Sequence, residues 1–302
     1  MIELQDEPIA DPVCVPLFHL AQFTRALGIT VVQVGEGSDE VFFGYPAYTQ
    51  VLQMAARLRR ARRLIPDAIL RPGIQVALRS RPLGQELLLE AIGHGFPSAR
   101  RVAGFSEAAK RGLLRRSAST GTAYDFLRSL VGSAVTDEEI ADITLDHELS
   151  LRLPELLLMR VDKMTMAASV EARAPFLDTD LIEFSARLPL PLRWENGQGK
   201  LVLRQAMEGV LPQSVLRRRK QGFGAPVWRW ATSFRSLLER EIDREALHEY
   251  FDPTAVRELV TKGDPHKQAF PLWILLNFAL WHRHWIEGED LTEIIPAARA
   301  AA

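Results

Sequence analysis

Cysteine is nearly missing: Cys14 is the only one in 302 residues. A lone thiol excludes an internal disulfide framework and fits a reducing compartment, so a cytoplasmic location is expected. Cys14 itself reads as a small buried apolar group. Excess charge is missing too. With 37 basic and 38 acidic residues the formal net charge is −1, which leaves no global field to attract nucleic acid or a membrane surface. Glu3, Asp6, Glu7 and Asp11 crowd the start of the chain and exclude a signal-peptide plan. The most apolar late stretch, 270–285, is too short to span a bilayer comfortably and ends in His282, Arg283 and His284, so a buried helix is expected. His-Glu-x-x-His, Gly-x-Ser-x-Gly and the Walker loop are all missing, which leaves metalloprotease, serine hydrolase and P-loop nucleotidase chemistry unsupported. No internal repeat occurs.

What is present is enough apolar residue, 47%, for the core of one large or two small domains. The most informative stretch is 31–45. A β-branched run at 29–34 predicts a buried strand, ending in Gly35-Glu36-Gly37-Ser38, with a helix beginning near Asp39. A strand, a glycine turn and a helix start form a ready site at the carboxyl end of a parallel strand. Glu36, Asp39 and Glu40 add three carboxylates there, which suits a hard cation or a substrate amine beside a phosphate. Ordinary helix capping by Ser38 or Asp39 explains the same residues.

Along the rest of the chain, Leu17, Leu20 and Leu27 mark the apolar face of a helix over 13–27, stopped by Gly28. Pro46 is expected to interrupt the next helix, which runs to a solvated arginine cluster, Arg57 to Arg63. The region 64–135 reads as a variable surface insertion of short helices. Thr136-Asp137-Glu138-Glu139 is a capping box. A helix is expected over 155–170, starting after Pro154, and Asp178 is expected to cap the next. The turn Glu195-Asn196-Gly197-Gln198-Gly199 precedes a helix over 200–210. Basic residues Arg217 to Lys220 then enter a loop with two glycines, and Pro226 opens a helix. Trp228, Trp230, Trp273, Trp281 and Trp285 read as core residues. Only one strand is legible, so further strands must be short or come from outside the chain. The alanine-rich end, 297–302, reads as a disordered tail.

Three segments place charge beside a conformational break: Glu36/Asp39/Glu40, Lys163 with Arg173, and Lys220. Acids, a helix-anchored lysine and a mobile lysine are what nucleotide-dependent acyl activation needs, because a metal and lysines must neutralise a leaving pyrophosphate while an acid orients an amine. Structural ion pairs of Lys163 and Arg173 with Asp162, Glu171 or Asp178, and a solvated loop at Lys220, are the alternatives.

Four ordered motifs resemble one family closely. Asp6-Glu7-Pro8-Ile9-Ala10-Asp11-Pro12, the run from Gly35 through Tyr45, Val161-Asp162-Lys163-Met164 continuing through Val170-Glu171-Ala172-Arg173-Ala174-Pro175-Phe176-Leu177-Asp178, and Lys220-Gln221-Gly222-Phe223 with Pro226 and Trp230 are similar to the C-terminal domain of glutamine-hydrolysing asparagine synthetases. The resemblance implies a helix-rich α/β fold, a partial PP-loop ATP pyrophosphatase (adenine nucleotide α-hydrolase-like) domain with a truncated parallel sheet over 1–296. It implies ATP and Mg2+ as cofactors and a carbon–nitrogen ligase that adenylates aspartate, or another carboxylate as related lactam-forming and amidotransferase enzymes do, for attack by ammonia from glutamine. Carried over by motif, Glu36 sits by the acyl and ammonia site, Gly35, Gly37 and Asp39 bind the nucleotide, Asp39 also taking the metal, Lys163 and Arg173 belong to the synthetase active site, and Lys220 stabilises the pyrophosphate-expelling transition state. Glu40 only supports. Two departures stand out. The family's Ser-Gly-Gly-x-Asp-Ser loop occurs nowhere in the sequence, and Ile2 stands where the glutaminase cysteine is expected. The expectation is therefore a truncated or split synthetase portion, weakly active alone, with a glutaminase/PP-loop polypeptide as partner, or a non-catalytic partner-binding half; a homodimer is also allowed. The family's Gly-Gly-Tyr appears as Phe43-Gly44-Tyr45, which is expected to narrow the turn.

Overall fold

The computed structural model describes residues 1–77, 105, 107–115, 136–218 and 220–291. Most of the expected insertion and the alanine-rich tail lie outside the described residues. The architecture is helix-rich α/β with a small parallel sheet. In chain order, α1 (Cys14–Ala26), β1 (Val31–Gln33), α2 (Ser38–Val41) and α3 (Pro46–Leu64) lead to α4 (Asp67–Ala77) and α5 (Glu107–Leu113). Next come α6 (Asp137–His147), a π-type segment (Glu148–Leu158), α7 (Met159–Met166), β2 (Glu171–Arg173), α8 (Thr179–Ala186) and α9 (Leu190–Arg193). A β3–β4 hairpin (Trp194–Glu195, Gln198–Gly199) precedes α10 (Leu201–Ala206) and α11 (Gln213–Leu216). The chain closes with α12 (Val227–Glu241), α13 (Glu245–Tyr250), α14 (Pro253–Thr261), α15 (Ala269–Trp281) and a short π-type turn (His282–Ile286).

The second strand that sequence could not supply is β2. It pairs in parallel with β1, Val31 opposite Glu171 and Gln33 opposite Arg173. The strand expected to be buried is not: Val31 is 43% exposed and both strands alternate exposed and half-buried residues. The expected face of α1 is corrected as well. Leu20 and Leu27 are exposed, while Cys14 and Ala21 are the residues it buries. Gly28 still ends the helix, at φ +79°.

Prolines act differently from their sequence reading. Pro46 does not interrupt a helix but opens α3 at its first turn, where its missing N–H is not needed. Pro154 does not start a helix; it lies inside the π-type segment that joins α6 to α7. The helical run therefore begins at the Thr136 capping box, which forms with both of its bonds, and α7 stops at Met166, before the expected Val170. Asp178 caps α8 as expected, accepting from the N–H of Asp180 and Leu181.

The main core lies between α12 and α15. On α12, Val227, Ala231, Phe234 and Leu238 recur at helical spacing and bury one stripe. α15 is apolar on nearly every side and buries Leu272, Leu275, Leu276 and Ala279. Leu238 and Leu272 are wholly inaccessible, each contributing about 1.5–3 kcal/mol of apolar burial. Among the described residues no helix is long and apolar enough to cross a membrane. A second cluster gathers Phe43, Tyr48, Leu52, Ala55 and Ile140 around α3 and α6.

The tryptophans correct their core assignment in part. Trp273 is buried, but Trp228 and Trp285 are exposed at 56% and 44%. Three of them bind the N-terminal segment through their indole N–H groups: Trp273 donates to the carbonyl of Ala10 (2.8 Å), Trp281 to Asp6 (3.0 Å) and Trp285 to Ile2 (3.1 Å). The segment carrying Asp6 and Asp11 is thus held against the C-terminal helix.

Candidate functional site

The acidic turn follows β1 directly. Gly37 takes φ +90°, and a Cβ there would fall 2.2 Å from Leu177 Cδ2, so the position requires glycine on two counts. Ser38, Asp39 and Glu40 follow, all buried. Neither Ser38 nor Asp39 caps α2: the cap position is Gly37 and no side chain satisfies it. Capping by Ser38 or Asp39 is therefore corrected, although Asp39 and Glu40 do stand in the first turn of α2, where acids are favoured; both also find partners across the fold.

Asp39 meets two lysines. Lys220 Nζ lies 2.6 Å from Oδ2, and Lys200 Nζ lies 2.9 Å from Oδ1 and donates to Ser38 Oγ at 2.9 Å. Burial pushes the Asp39 carboxyl up, but Lys220 and Lys200 together outweigh it and hold it below the ordinary range. The carboxylate is therefore ionised, with one cation in excess beside it. Gly44 closes over this pair: a Cβ there would fall 2.2 Å from Asp39 Oδ1 and 2.3 Å from Lys200 Cε. Phe43, where the resembled motif has glycine, takes φ +58°, a conformation that costs a bulky residue roughly 1–2 kcal/mol. Its ring is 2% exposed and packs 4.6 Å from Tyr48, which offsets that cost.

Glu40 belongs to a different set of contacts. It accepts from the Tyr45 hydroxyl and lies 3.3 Å from Arg152, which also pairs with Glu148 at 2.6 Å. Burial first, then the Glu40 charge, pushes the Tyr45 hydroxyl well up, so it stays a donor. Arg152 and Lys220 both lie over the Tyr45 ring, 5.1 and 5.4 Å from its centre. Glu40 is thus tied to Tyr45 and Arg152.

Asp39, Lys200 and Lys220 line a cleft of about 1240 Å³ together with Tyr45, Leu203 and Met207. Glu36, Lys163 and Arg173 lie outside its lining. Glu36 pairs instead with Arg160 (3.3 Å), which also binds Asp11 (2.7 Å). Burial raises the Glu36 carboxyl and Arg160 only partly opposes this. Lys163 pairs with Asp6. The Arg173 side chain is 66% exposed on β2 and, among the described residues, pairs only with Glu171 two positions before it. The structure therefore brings Asp39 and Lys220 together, pairs Glu36 with Arg160 of α7 and Lys163 of the same helix with Asp6, and leaves Arg173 exposed on β2.

For a metal, the donor set is sparse. Among the described residues no three histidine, cysteine or carboxylate groups gather as a cage. Both Asp39 oxygens face an ammonium group, so this carboxylate could hold Mg2+ only with the lysines drawn off it and phosphate oxygens as the ion's other ligands. Sequence reading missed Lys200 and Arg160. Lys200 was legible only as the residue after a turn. Arg160 stands three before Lys163, on one helix face, opposite the acids Asp6 and Asp11, so complementary charge was the available signal.

The family model for asparagine synthase matches residues 1–283. Asparagine synthetase [glutamine-hydrolyzing] 1 of Bacillus subtilis is 30% identical over 298 residues, covering 95% of this chain and 45% of that protein. The Gallus gallus asparagine synthetase is 30% identical over 162 residues, covering 49% of this chain and 28% of its own length. Asparagine synthetase B of Escherichia coli is 29% identical over 123 residues, covering 37% and 22%. The chain spans less than half the length of these relatives.

Proposed function

The chain belongs to the asparagine synthase family, and on that premise we propose that it supplies the pyrophosphate-facing part of an ATP-dependent amide ligase. The carrying observation is one carboxylate, Asp39, gripped by two lysines at 2.6 and 2.9 Å beside an open cleft. In this reading Asp39 takes the Mg2+ that comes with the nucleotide, and Lys220 and Lys200 turn from Asp39 to the phosphate oxygens as negative charge moves onto the leaving pyrophosphate. Glu36, half-buried with a raised carboxyl, orients the attacking ammonia next to the activated acyl group. The Mg2+ itself shields phosphate charge when bound. Aspartate is the acyl substrate that the relatives' names favour; another carboxylate is the alternative. Calorimetry with Mg-pyrophosphate tests the central point: binding should weaken roughly 10–100-fold in Lys220→Met, the worth of a charged hydrogen bond. ATP–pyrophosphate exchange with aspartate and a panel of other carboxylates then identifies the acyl group. Wild-type affinity retained in Lys220→Met would refute the assignment.

A second reading is favoured by the sheet. A parallel pair is ordinarily covered on both faces, yet β1 and β2 are each partly exposed, with Ile29 and Val31 both 43% open. In that reading the chain acts as the partner-binding half of a two-polypeptide enzyme. Co-expression with a polypeptide carrying Ser-Gly-Gly-x-Asp-Ser should give a stable complex with ATP turnover. Unchanged hydrodynamic size on mixing would remove this reading.

A further inference from the structure

Arg160 on α7 joins two carboxylates from distant parts of the chain, and it treats them unequally. Its Nη1 lies 2.7 Å from Asp11 Oδ2, while its Nη2 lies 3.3 Å from Glu36 Oε1. The side chains are only 12%, 13% and 24% exposed for Arg160, Asp11 and Glu36. Asp11 is immobilised independently of Arg160. Its Oδ1 accepts from the backbone N–H of Val13 at 3.0 Å, and the carbonyl of the preceding Ala10 is held by Trp273. The guanidinium is therefore anchored at its Asp11 end and only leans on Glu36. Among the described residues Glu36 has no other hydrogen-bond partner.

The distinction matters chemically. A carboxylate locked in a short bidentate pair with arginine has little capacity left to accept from an amine. One with no partner in a half-buried position has no fixed orientation. We propose that Asp11 and Arg160 form a positioning pair for Glu36, Asp11 drawing the guanidinium away so that the Glu36 carboxylate is aimed but left free to take an incoming amine or ammonium group. This rests on the reading of Glu36 as the group beside the ammonia site. The charges facing Glu36 are Arg160 from α7 with Asp11 behind it, Glu40 from α2 and Lys220 from the basic loop. Lys163, one turn beyond Arg160, is taken up by Asp6. Two changes around one arginine should therefore act on Glu36 in opposite directions. Freeing Arg160 from Asp11 strengthens its hold on the Glu36 carboxylate, and removing Arg160 abolishes that hold.

The test titrates the full chain labelled with carboxyl-13C glutamate, the Glu36 signal being the one lost in Glu36→Gln. Asp11→Asn should lower the Glu36 midpoint and Arg160→Met should raise it, each by about half a pH unit or more. Arg160→Lys should return part of the rise, since a point charge serves both acids less well than a fork. Movement of both variants in the same direction, or an unmoved Glu36 midpoint in both, overturns the proposal. If Arg160→Met does not fold, Asp11→Asn decides alone: a fall supports the pair, and no change or a rise overturns it. The readout involves no ATP chemistry, so failure of the ligase reading leaves these titrations as they are, and failure here leaves pyrophosphate binding as it is.

Discussion

Lys220 Nζ lies 2.6 Å from Asp39 Oδ2, although the two residues are 181 positions apart. The contact fixes the basic loop, which has no helix or strand over 217–218 and 220–226, onto the acidic turn. It also keeps Lys220 and Lys200 apart by placing one shared anion between them.

Asp39→Asn removes that anion and leaves two ammonium groups facing each other. The loop should detach, and trypsin should cleave after Arg217, Arg218 or Lys220 at least about tenfold faster, the equivalent of losing one charge-assisted bond. Mg-pyrophosphate should slow cleavage of the unaltered chain and leave the variant unprotected. Equal cleavage rates would show that the ion pair does not hold the loop.

Gly44→Ala forces a methyl group to within 2.2 Å of Asp39 Oδ1, 2.3 Å of Lys200 Cε and 3.0 Å of the Asp39 backbone. The lysine can swing aside; the backbone cannot. Overpacking of this kind costs about 1–3 kcal/mol, and urea denaturation should show it together with weaker pyrophosphate binding. For the stability measurement alone Gly35→Ala is the control, because among the described residues nothing lies within 4 Å of its new methyl group.

Near the C-terminal end, Arg283 draws the Glu289 carboxyl down to about 2, burial opposing and Arg244 adding to the pull. An acid depressed in the folded chain stabilises it above the ordinary value of 4.5, and this stabilisation is lost as pH falls through the folded value. Glu289→Gln should therefore lower Tm at pH 7 by roughly 2 °C, a modest figure because the pair is partly open to solvent. The gap should narrow between pH 4.5 and 2. A constant gap across that range would contradict the assignment.

Burial pushes the Cys14 thiol up to about 12, Asp11 adding to the effect. The folded chain should react with a disulfide reagent at about pH 8 at under about 1% of the denatured rate, because almost no thiolate exists and access is closed. Rapid native labelling would show that α1 opens locally.

The parts legible in sequence are those with a local chemical signature. Thr136 and Asp178 announce their helices by bonds to residues two or three positions on, and the order of four motifs identified the family. The parts that stayed hidden depend on distant contacts. β2 is three residues long with half-exposed side chains, so Glu171-Ala172-Arg173 carries no apolar period and reads as a helix exit. Pro154 looks like a boundary until a wider helical turn accommodates it. Leu20 and Leu27 have the spacing of a core face yet stand in solvent, because α1 packs through smaller residues, Cys14 and Ala21. Asp39 was read from its motif, but the second lysine on it was not, since Lys200, which also bonds the adjacent Ser38 across 162 positions, approaches from a distant segment of the chain.

The β3–β4 hairpin has one further consequence, for what changes of length the chain tolerates. Its tip, Asn196-Gly197, takes φ +50° and +85°, the two-residue turn that Asn-Gly favours. Trp194 is tied to Thr49 at 2.7 Å, Lys200 N–H donates to the Phe42 carbonyl at 2.9 Å, and Gly199 lies so close to the Phe43 carbonyl that no larger residue fits. One end of the six-residue interval Trp194 to Gly199 is thus tied to α3 and the other to Phe42 and Phe43 just after the acidic turn, and the lysine that reaches Asp39 is the next residue. Substitution at the tip, Asn196→Asp for example, is permitted by the turn. Insertion or deletion of a single residue is not, because it would rotate Lys200 off the carboxylate. Across descendants of this chain, the hairpin should drift in spelling while its residue count stays still.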